Sequence, residues 1–207
     1  MLFNLPNFLT LSRIFVIPVI VGLFYLRGDE ARWLALALFI LAGITDYFDG
    51  YFARRWAQIS PLGRFLDPIA DKLLVAAVIL ILVAKDQITG WVVLPALIIL
   101  CREVLVSGLR EFLAQANVGV PVSRMAKWKT MLQMVALGFL LIGDTADPWV
   151  RLVGEVGLWI AAALTIITGY DYLHAGLKHI VAEPPPAPTV KPKPAPGPIA
   201  EPSRSVH

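Results

Sequence analysis

Six long apolar runs, separated by short polar connections, make up most of the chain. They cover residues 10–27, 31–53, 67–84, 91–115, 126–143 and 148–177. A helix rises about 1.5 Å per residue, so each run is long enough to cross the roughly 30 Å hydrocarbon layer of a bilayer. The pattern predicts an all-α integral membrane protein with six transmembrane helices.

The composition supports this prediction. Of the 207 residues, 57% are hydrophobic and 16% are charged, whereas soluble domains carry about 25% charged residues. Six spans leave little room for a soluble domain, so we predict one membrane domain at 1–180 and a tail at 181–207. Residues 183–207 hold nine of the 16 prolines and show no apolar period. We expect an extended, disordered cytoplasmic tail that acts as a spacer, with a polyproline ligand as the alternative.

The basic residues predict the orientation. If the N-terminus is inside, the outer connections hold only Arg27, Arg32, Lys85 and Arg151, whereas the cytoplasmic side receives twice as many basic residues, namely Arg54, Arg55, Arg64, Arg110, Arg124, Lys127, Lys129 and Lys178. The positive-inside rule then places both termini in the cytoplasm. The net charge of +3 is explained by this distribution, and no nucleic-acid partner is expected. Before the first span, residues 4–10 resemble a short interfacial segment, with an entry turn or a helix cap at Pro6 and Asn7.

Four aspartates lie at helical spacing where the second and third runs approach each other. Asp46 and Asp49 are three residues apart, and Asp67 and Asp71 are four apart, so each pair shares one face of its helix. A short link between the two runs makes these helices antiparallel neighbours. The four carboxylates should therefore converge at the cytoplasmic edge of one helical hairpin.

Carboxylates in a membrane segment need a compensating charge, because each costs about 2.5–3.5 kcal/mol on insertion scales. Oxygen ligands without Cys or His favour Mg²⁺, Mn²⁺ or Ca²⁺ over zinc. A pair of metal ions held by carboxylates is the usual arrangement for displacement at phosphorus. A proton or cation pathway is the alternative, but Gly50, Ala53, Arg54 and Gly63 at fixed positions have no purpose in it. Cys101 is expected to be an inert thiol.

A second cluster is basic and lies on the same predicted side. It consists of Arg102, Arg110, Lys127 and Lys129. Cations beside a metal site form a pocket for phosphate groups, and the alternative is simple positive-inside anchoring. Because Arg102 is deep in its span, it needs a partner, which is either Glu103 or a ligand.

The acidic pattern resembles a known family signature. Asp46-x-x-Asp49-Gly50-x-x-Ala53-Arg54, eight residues, and Gly63-x-x-x-Asp67-x-x-x-Asp71 match every position of the CDP-alcohol phosphatidyltransferase motif. Other segments resemble the bacterial phosphatidylglycerophosphate synthases of that family, over about residues 2–177. They are LPNFLTLSR at 5–13, ITDYFDGYFARRW at 44–56, FLDPIADKLLVA at 65–76, CREVLVSGLREF at 101–112 and KWKTMLQMVAL at 127–137.

The resemblance implies a six-helix enzyme of the bacterial cell (inner) membrane, usually a homodimer, with a cytoplasmic active site. It implies two Mg²⁺ or Mn²⁺ ions. Asp46 and Asp67 would bind both ions, Asp49 would bind one of them, and Asp71 would bind the other. Asp71 would also act as the general base. The cytidine diphosphate group would contact Leu5, Pro6, Asn7, Phe8, Gly50, Arg54 and Ser60.

The expected reaction transfers the phosphatidyl group from CDP-diacylglycerol to glycerol 3-phosphate and releases CMP. The phosphate of this acceptor suits Arg102, Arg110, Lys127 and Lys129. A family member with another acceptor, such as a cardiolipin or phosphatidylserine synthase, is the alternative, and a cation-coupled transporter is a more distant one.

Overall fold

The computed structural model describes residues 5–56, 61–115 and 124–182, with side chains at 10–45, 63, 66, 68–114, 125–170, 172–174 and 176. Within these residues the chain forms six α-helices and a 3₁₀ turn at Gly90–Val92. The helices are α1 (Leu5–Leu23), α2 (Asp29–Trp56), α3 (Pro61–Ala84), α4 (Val93–Gln115), α5 (Arg124–Leu141) and α6 (Pro148–Ala182). The predicted all-α class is confirmed for this part of the chain.

The start of the chain differs from the sequence prediction. Residues 4–10 were expected to form a separate interfacial segment, yet α1 begins at Leu5 and continues without a break to Leu23. A proline in the first turn of a helix loses only an N–H group that has no helical partner there. Pro6 is therefore compatible with the first turn of α1, and residues 5–10 belong to that helix.

At its other end α6 reaches Ala182, two residues beyond the predicted domain boundary at 180. The predicted disordered tail at 183–207 lies outside the described residues.

Two ion pairs close one end of the bundle. Arg32 at the start of α2 is 3.0 Å from Asp144 in the α5–α6 turn, and its guanidinium lies 3.8 Å from the centroid of the Phe24 ring. Arg151 of α6 pairs with Glu155 at 2.9 Å and also reaches the α3–α4 connection. Exposed Trp33, Trp91 and Trp149 lie at this end, as expected of an interfacial belt. We call it the tryptophan end, and the opposite end, where α2 ends and α3 begins, the acidic end.

The core is formed by close helix packing. Among the described residues, α5 and α6 share the most extensive contact, and α1 packs on both α2 and α3. A Cβ atom added to Gly154 of α6 would lie 2.7 Å from Leu140 Cγ, and one added to Gly157 would lie 3.0 Å from Ala136 Cβ. Small residues here let the two backbones approach closely, as is common between helices in membranes.

The surface of the bundle is strongly apolar. Two helical segments in the described residues, Gly90–Ala114 and Pro148–His174, are long and apolar enough to cross a membrane. Only 22% and 33% of their most apolar stretches are buried, whereas the core helix of a soluble protein is mostly buried. Leu80 and Val104 are 63% and 71% exposed. Large exposed apolar surface is compatible with contact to lipid, whereas six spans and their orientation stay predictions.

Candidate active site

The four predicted metal ligands lie on two consecutive helices at the acidic end. Asp46 and Asp49 are in the second half of α2, and Asp67 and Asp71 are in the first half of α3. Both helices are continuous at these positions, so each pair shares a helix face as predicted. The structure describes the side chain of Asp71, whereas those of the other three aspartates lie outside the described set. Among the described side chains, no group of three potential metal ligands is found.

Asp71 lies at the edge of a long groove between α2 and α5. Its partly buried side chain lines a cavity of about 700 Å³ together with Gly43 and Ile44 of α2 and Thr130 and Met134 of α5. Gly43 and Ile44 precede Asp46 by three and two positions, so the acidic segment of α2 lies at about the level of Asp71. This arrangement fits the prediction that the two pairs share one end of a hairpin.

The rest of the groove is apolar and follows α5 toward the tryptophan end. Its walls include Phe39, Ile40, Met131, Val135, Phe139 and Ile142. It extends from Thr130 of α5 to Ile142, the residue after the end of this helix. Twelve residue steps correspond to about 18 Å at 1.5 Å per residue. Gly138 leaves the wall open, because a Cβ added there would just touch Leu36 Cδ1 at 3.4 Å. An apolar groove of this length with an acidic group at one edge suits an amphiphilic ligand.

Two of the four predicted phosphate-binding cations meet on one carboxylate. Lys129 Nζ donates a hydrogen bond to Glu103 Oε1, and Arg102 Nη1 lies 3.7 Å from the same oxygen. Arg102 Nη2 also donates to Thr168 Oγ1 of α6 at 3.2 Å. The ammonium of Lys129 interacts electrostatically with the Asp71 carboxylate as well. Helices α3, α4, α5 and α6 thus contribute to one polar cluster inside an apolar bundle.

The other two predicted cations differ in their setting. The side chains of Arg110 and Lys127 are exposed, whereas Lys129 is fully buried. Lys127 and Lys129 are two residues apart on a helix, so they project from different faces of α5. The structure therefore separates two cations inside the bundle from two at its surface.

For the residues predicted to contact the cytidine diphosphate group, the structure gives at most the helix on which each one lies. Leu5, Pro6, Asn7 and Phe8 form the first turn of α1, and Gly50 and Arg54 lie in the last two turns of α2. Their side chains and all of Ser60 lie outside the described set. These helix termini belong to the acidic end, and the contacts themselves stay predictions.

Sequence reasoning missed three features of this end. Glu103 was considered only as a partner for Arg102, although it binds Lys129 more directly. Thr10 and Arg13 of α1 are fully buried and received no role. An acid beside an arginine in an apolar run was the signal for Glu103, because such groups are rarely left without a partner or a function.

Comparison with known proteins gives the family. The family model described as CDP-alcohol phosphatidyltransferase matches residues 3–167, which include the four aspartates and the polar cluster up to Lys129. The chain belongs to the CDP-alcohol phosphatidyltransferase family. Enzymes of this family depend on metal ions in general.

Three similar relatives carry the same name, CDP-diacylglycerol–glycerol-3-phosphate 3-phosphatidyltransferase. The protein of Rickettsia typhi is 55% identical over 174 residues, which cover 83% of this chain and 96% of the relative. That of Haemophilus influenzae is 42% identical over 175 residues, covering 84% and 93%. That of Cereibacter sphaeroides is 39% identical over 218 residues, covering 87% and 98%. The similarity therefore extends over nearly the whole length of each relative.

Proposed function

We propose that this protein transfers the phosphatidyl group of CDP-diacylglycerol to glycerol 3-phosphate, giving phosphatidylglycerophosphate and CMP. The name shared by relatives at 39–55% identity supports this reaction. The observation that carries it is the position of Asp71, between an apolar groove and buried cations. One side of the site then suits a lipid tail, and the other suits a small phosphorylated acceptor.

The metal site is proposed from the chemistry of its donors. Asp71 offers carboxylate oxygens beside the acidic segment of α2, and oxygen ligands fit Mg²⁺ or Mn²⁺. Asp46, Asp49 and Asp67 would hold two such ions with it. When bound, the ions would neutralise the pyrophosphate of the nucleotide lipid and the charge on the departing CMP.

The reaction is an in-line displacement at phosphorus. We propose that Asp71 accepts the proton of the acceptor's primary hydroxyl group. The hydroxyl oxygen forms a bond to the lipid-side phosphorus, the bond from that phosphorus to the CMP oxygen breaks, and the electron pair leaves with CMP. A positioned general base of this kind contributes about 10²–10⁴-fold to a rate. Binding both substrates in one site with their reacting atoms aligned accelerates the reaction further.

The nucleotide is proposed to lie at the acidic end of α1 and α2. The contacting residues would be Leu5, Pro6, Asn7, Phe8, Gly50, Arg54 and Ser60. Arg54, a permanently charged group with a planar set of donors, suits a phosphate of the departing CMP. This placement keeps the headgroup at the end of the bundle where α2 meets α3.

The acyl chains are proposed to leave this end along the groove between α2 and α5. The groove begins beside Asp71 and extends about 18 Å toward the tryptophan end. Burial of each methylene group stabilises a lipid by about 0.8 kcal/mol. The groove therefore offers a path for a chain whose phosphate is held near the carboxylates.

The acceptor is proposed to bind the cations with its phosphate group. Arg102 and Lys129 lie inside the bundle, and Arg110 and Lys127 lie at the surface. A cationic pocket favours glycerol 3-phosphate over serine, which carries no phosphate. A synthase of the same family that uses phosphatidylglycerol as acceptor is the second candidate. A transporter is not favoured, because the predicted acids gather at one end of the bundle.

The setting of the enzyme is also a proposal. We place it in the bacterial inner membrane, with both termini and the active site cytoplasmic. The homodimer expected from the resemblance is proposed with it.

A direct assay tests the function. Purified protein receives CDP-diacylglycerol and, in separate reactions, glycerol 3-phosphate, serine or phosphatidylglycerol, and released CMP is measured with and without a chelator. We expect release with glycerol 3-phosphate and loss of release when divalent ions are removed. Release with serine or phosphatidylglycerol alone, or activity that survives chelation, would contradict the proposal.

A further inference from the structure

We propose that Glu103 is a positioning residue for the acceptor, one that holds the Lys129 and Arg102 side chains in place to bind the phosphate monoester of a small alcohol. This inference rests on the proposed function and adds to it a residue that neither the sequence prediction nor the family motif assigns.

The carboxylate of Glu103 organises two cations from two helices. Its Oε1 accepts a hydrogen bond from Lys129 Nζ on α5 and lies 3.7 Å from Arg102 Nη1 on its own helix, α4. The side chains of Lys129, Arg102 and Glu103 are only 2%, 13% and 19% exposed. A lysine has a flexible four-carbon stem, so a fixed partner is needed to hold its ammonium group in one place. Glu103 supplies that partner.

The guanidinium of Arg102 is fixed from a third helix. Its Nη2 donates to Thr168 Oγ1 at 3.2 Å, and the Thr168 hydroxyl donates to Leu164 O at 2.8 Å. Among the described residues, the buried Nε of Arg102 has no hydrogen-bond acceptor. A buried donor without an acceptor is unfavourable, and a phosphate oxygen is a strong acceptor for it. The unpaired Nε therefore supports an anionic ligand beside Arg102.

The charges around the two cations are mixed. Among the described residues, Lys129 and Arg102 share the Glu103 carboxylate, Lys129 also interacts with the Asp71 carboxylate, and Arg102 interacts with the Arg110 guanidinium. A phosphate group placed beside Lys129 and Arg102 would be bound by charge-assisted hydrogen bonds. A small alcohol that carries this phosphate can then present its hydroxyl group to Asp71.

Steady-state kinetics of the purified full-length protein test this role. In Glu103→Ala we expect the KM for glycerol 3-phosphate to rise about tenfold, with the KM for CDP-diacylglycerol within about twofold of the wild type. Glu103→Gln keeps an oxygen for the Lys129 ammonium, so its rise should stay below about threefold. Glu155→Ala removes an acid from the ion pair with Arg151 at the tryptophan end, and this matched control should leave both KM values unchanged.

A double-mutant cycle shows whether Glu103 acts through Lys129. In a Lys129→Met background, Glu103→Ala should change the acceptor KM by less than about twofold, because the group that it positions is gone. An undiminished tenfold effect in that background, or an equal rise of both KM values, would overturn the proposal. If Glu103→Ala does not fold, the same cycle is measured with Glu103→Met, which also removes the carboxylate and is close to glutamate in size.

A second readout separates this inference from the proposed function. Inorganic phosphate should protect the wild-type protein against thermal unfolding, and Glu103→Ala should need about tenfold more phosphate for half of that protection. If the wild type releases no CMP with glycerol 3-phosphate but this shift is found, the function is wrong and the role of Glu103 stands. If the wild type is active and Glu103→Ala shifts neither phosphate protection nor the acceptor KM, the role of Glu103 is wrong.

Discussion

Narrowing the groove between α2 and α5 should make the enzyme discriminate against long acyl chains. Gly138→Leu adds four carbon atoms to the groove wall, at a point where even a Cβ atom reaches 3.4 Å from Leu36 Cδ1. If the added side chain displaces two methylene groups of a bound lipid, the loss is about 1.6 kcal/mol at 0.8 kcal/mol each. That loss corresponds to about a fifteenfold lower kcat/KM for a long-chain substrate.

The assay compares two nucleotide lipids in detergent micelles. CDP-dipalmitoylglycerol has chains long enough to reach Gly138, whereas CDP-dioctanoylglycerol has chains that end nearer Asp71. We expect Gly138→Leu to lower kcat/KM for the long lipid by about fifteenfold and for the short lipid by less than about twofold. Gly22→Leu is the matched control, because Gly22 on α1 has nothing within 4 Å of an added Cβ and does not line the groove.

Two results would refute this reasoning. Equal loss with both lipids would mean that the substitution disturbs the packing of α2 on α5 rather than a chain in the groove. Unchanged kinetics with both lipids, in a variant that folds, would mean that the acyl chains take another path. Either result leaves the family assignment intact, since that depends on the sequence match.

Further predictions concern the base, the acceptor and the packing. Asp71→Asn should lower CMP release by at least about 10²-fold while the protein still folds, and near-normal release would exclude Asp71 as general base. Lys129→Ala should raise the KM for glycerol 3-phosphate much more than that for CDP-diacylglycerol, and parallel changes in the two values would count against an acceptor site there. Gly154→Ala places a Cβ 2.7 Å from Leu140 Cγ, so overpacking should lower the free energy of unfolding by about 1–3 kcal/mol. A thermal melt beside Gly22→Ala, which lies in open space, measures this, and equal melting temperatures would contradict it.

The sequence predicted the helices because membrane segments follow a simple rule. A backbone in lipid must satisfy its hydrogen bonds internally, so long apolar runs form helices. Each of the six runs corresponds to one helix of the structure. The prediction of a separate segment at residues 4–10 was wrong, because Pro6 is as compatible with a first helical turn as with an entry turn.

The acidic motif could also be recognised in the sequence, because each pair of aspartates is only three or four residues apart. The spacings of Asp46 to Asp49 and of Asp67 to Asp71 need only a continuous helix to share a face, and both helices are continuous there. The family match over residues 3–167 agrees with the resemblance of these spacings to the CDP-alcohol phosphatidyltransferase motif. Roles for the individual carboxylates stay predictions.

The cation cluster depended on tertiary structure. Lys127 and Lys129 look alike in the sequence, yet α5 is oriented so that Lys129 faces Glu103 inside the bundle while Lys127 is exposed. The partnership of Glu103 with Lys129 joins residues 26 positions apart, and no local pattern encodes that contact. Helix rotation and packing decide which polar side chains meet, because they depend on the complementary surfaces of several helices at once.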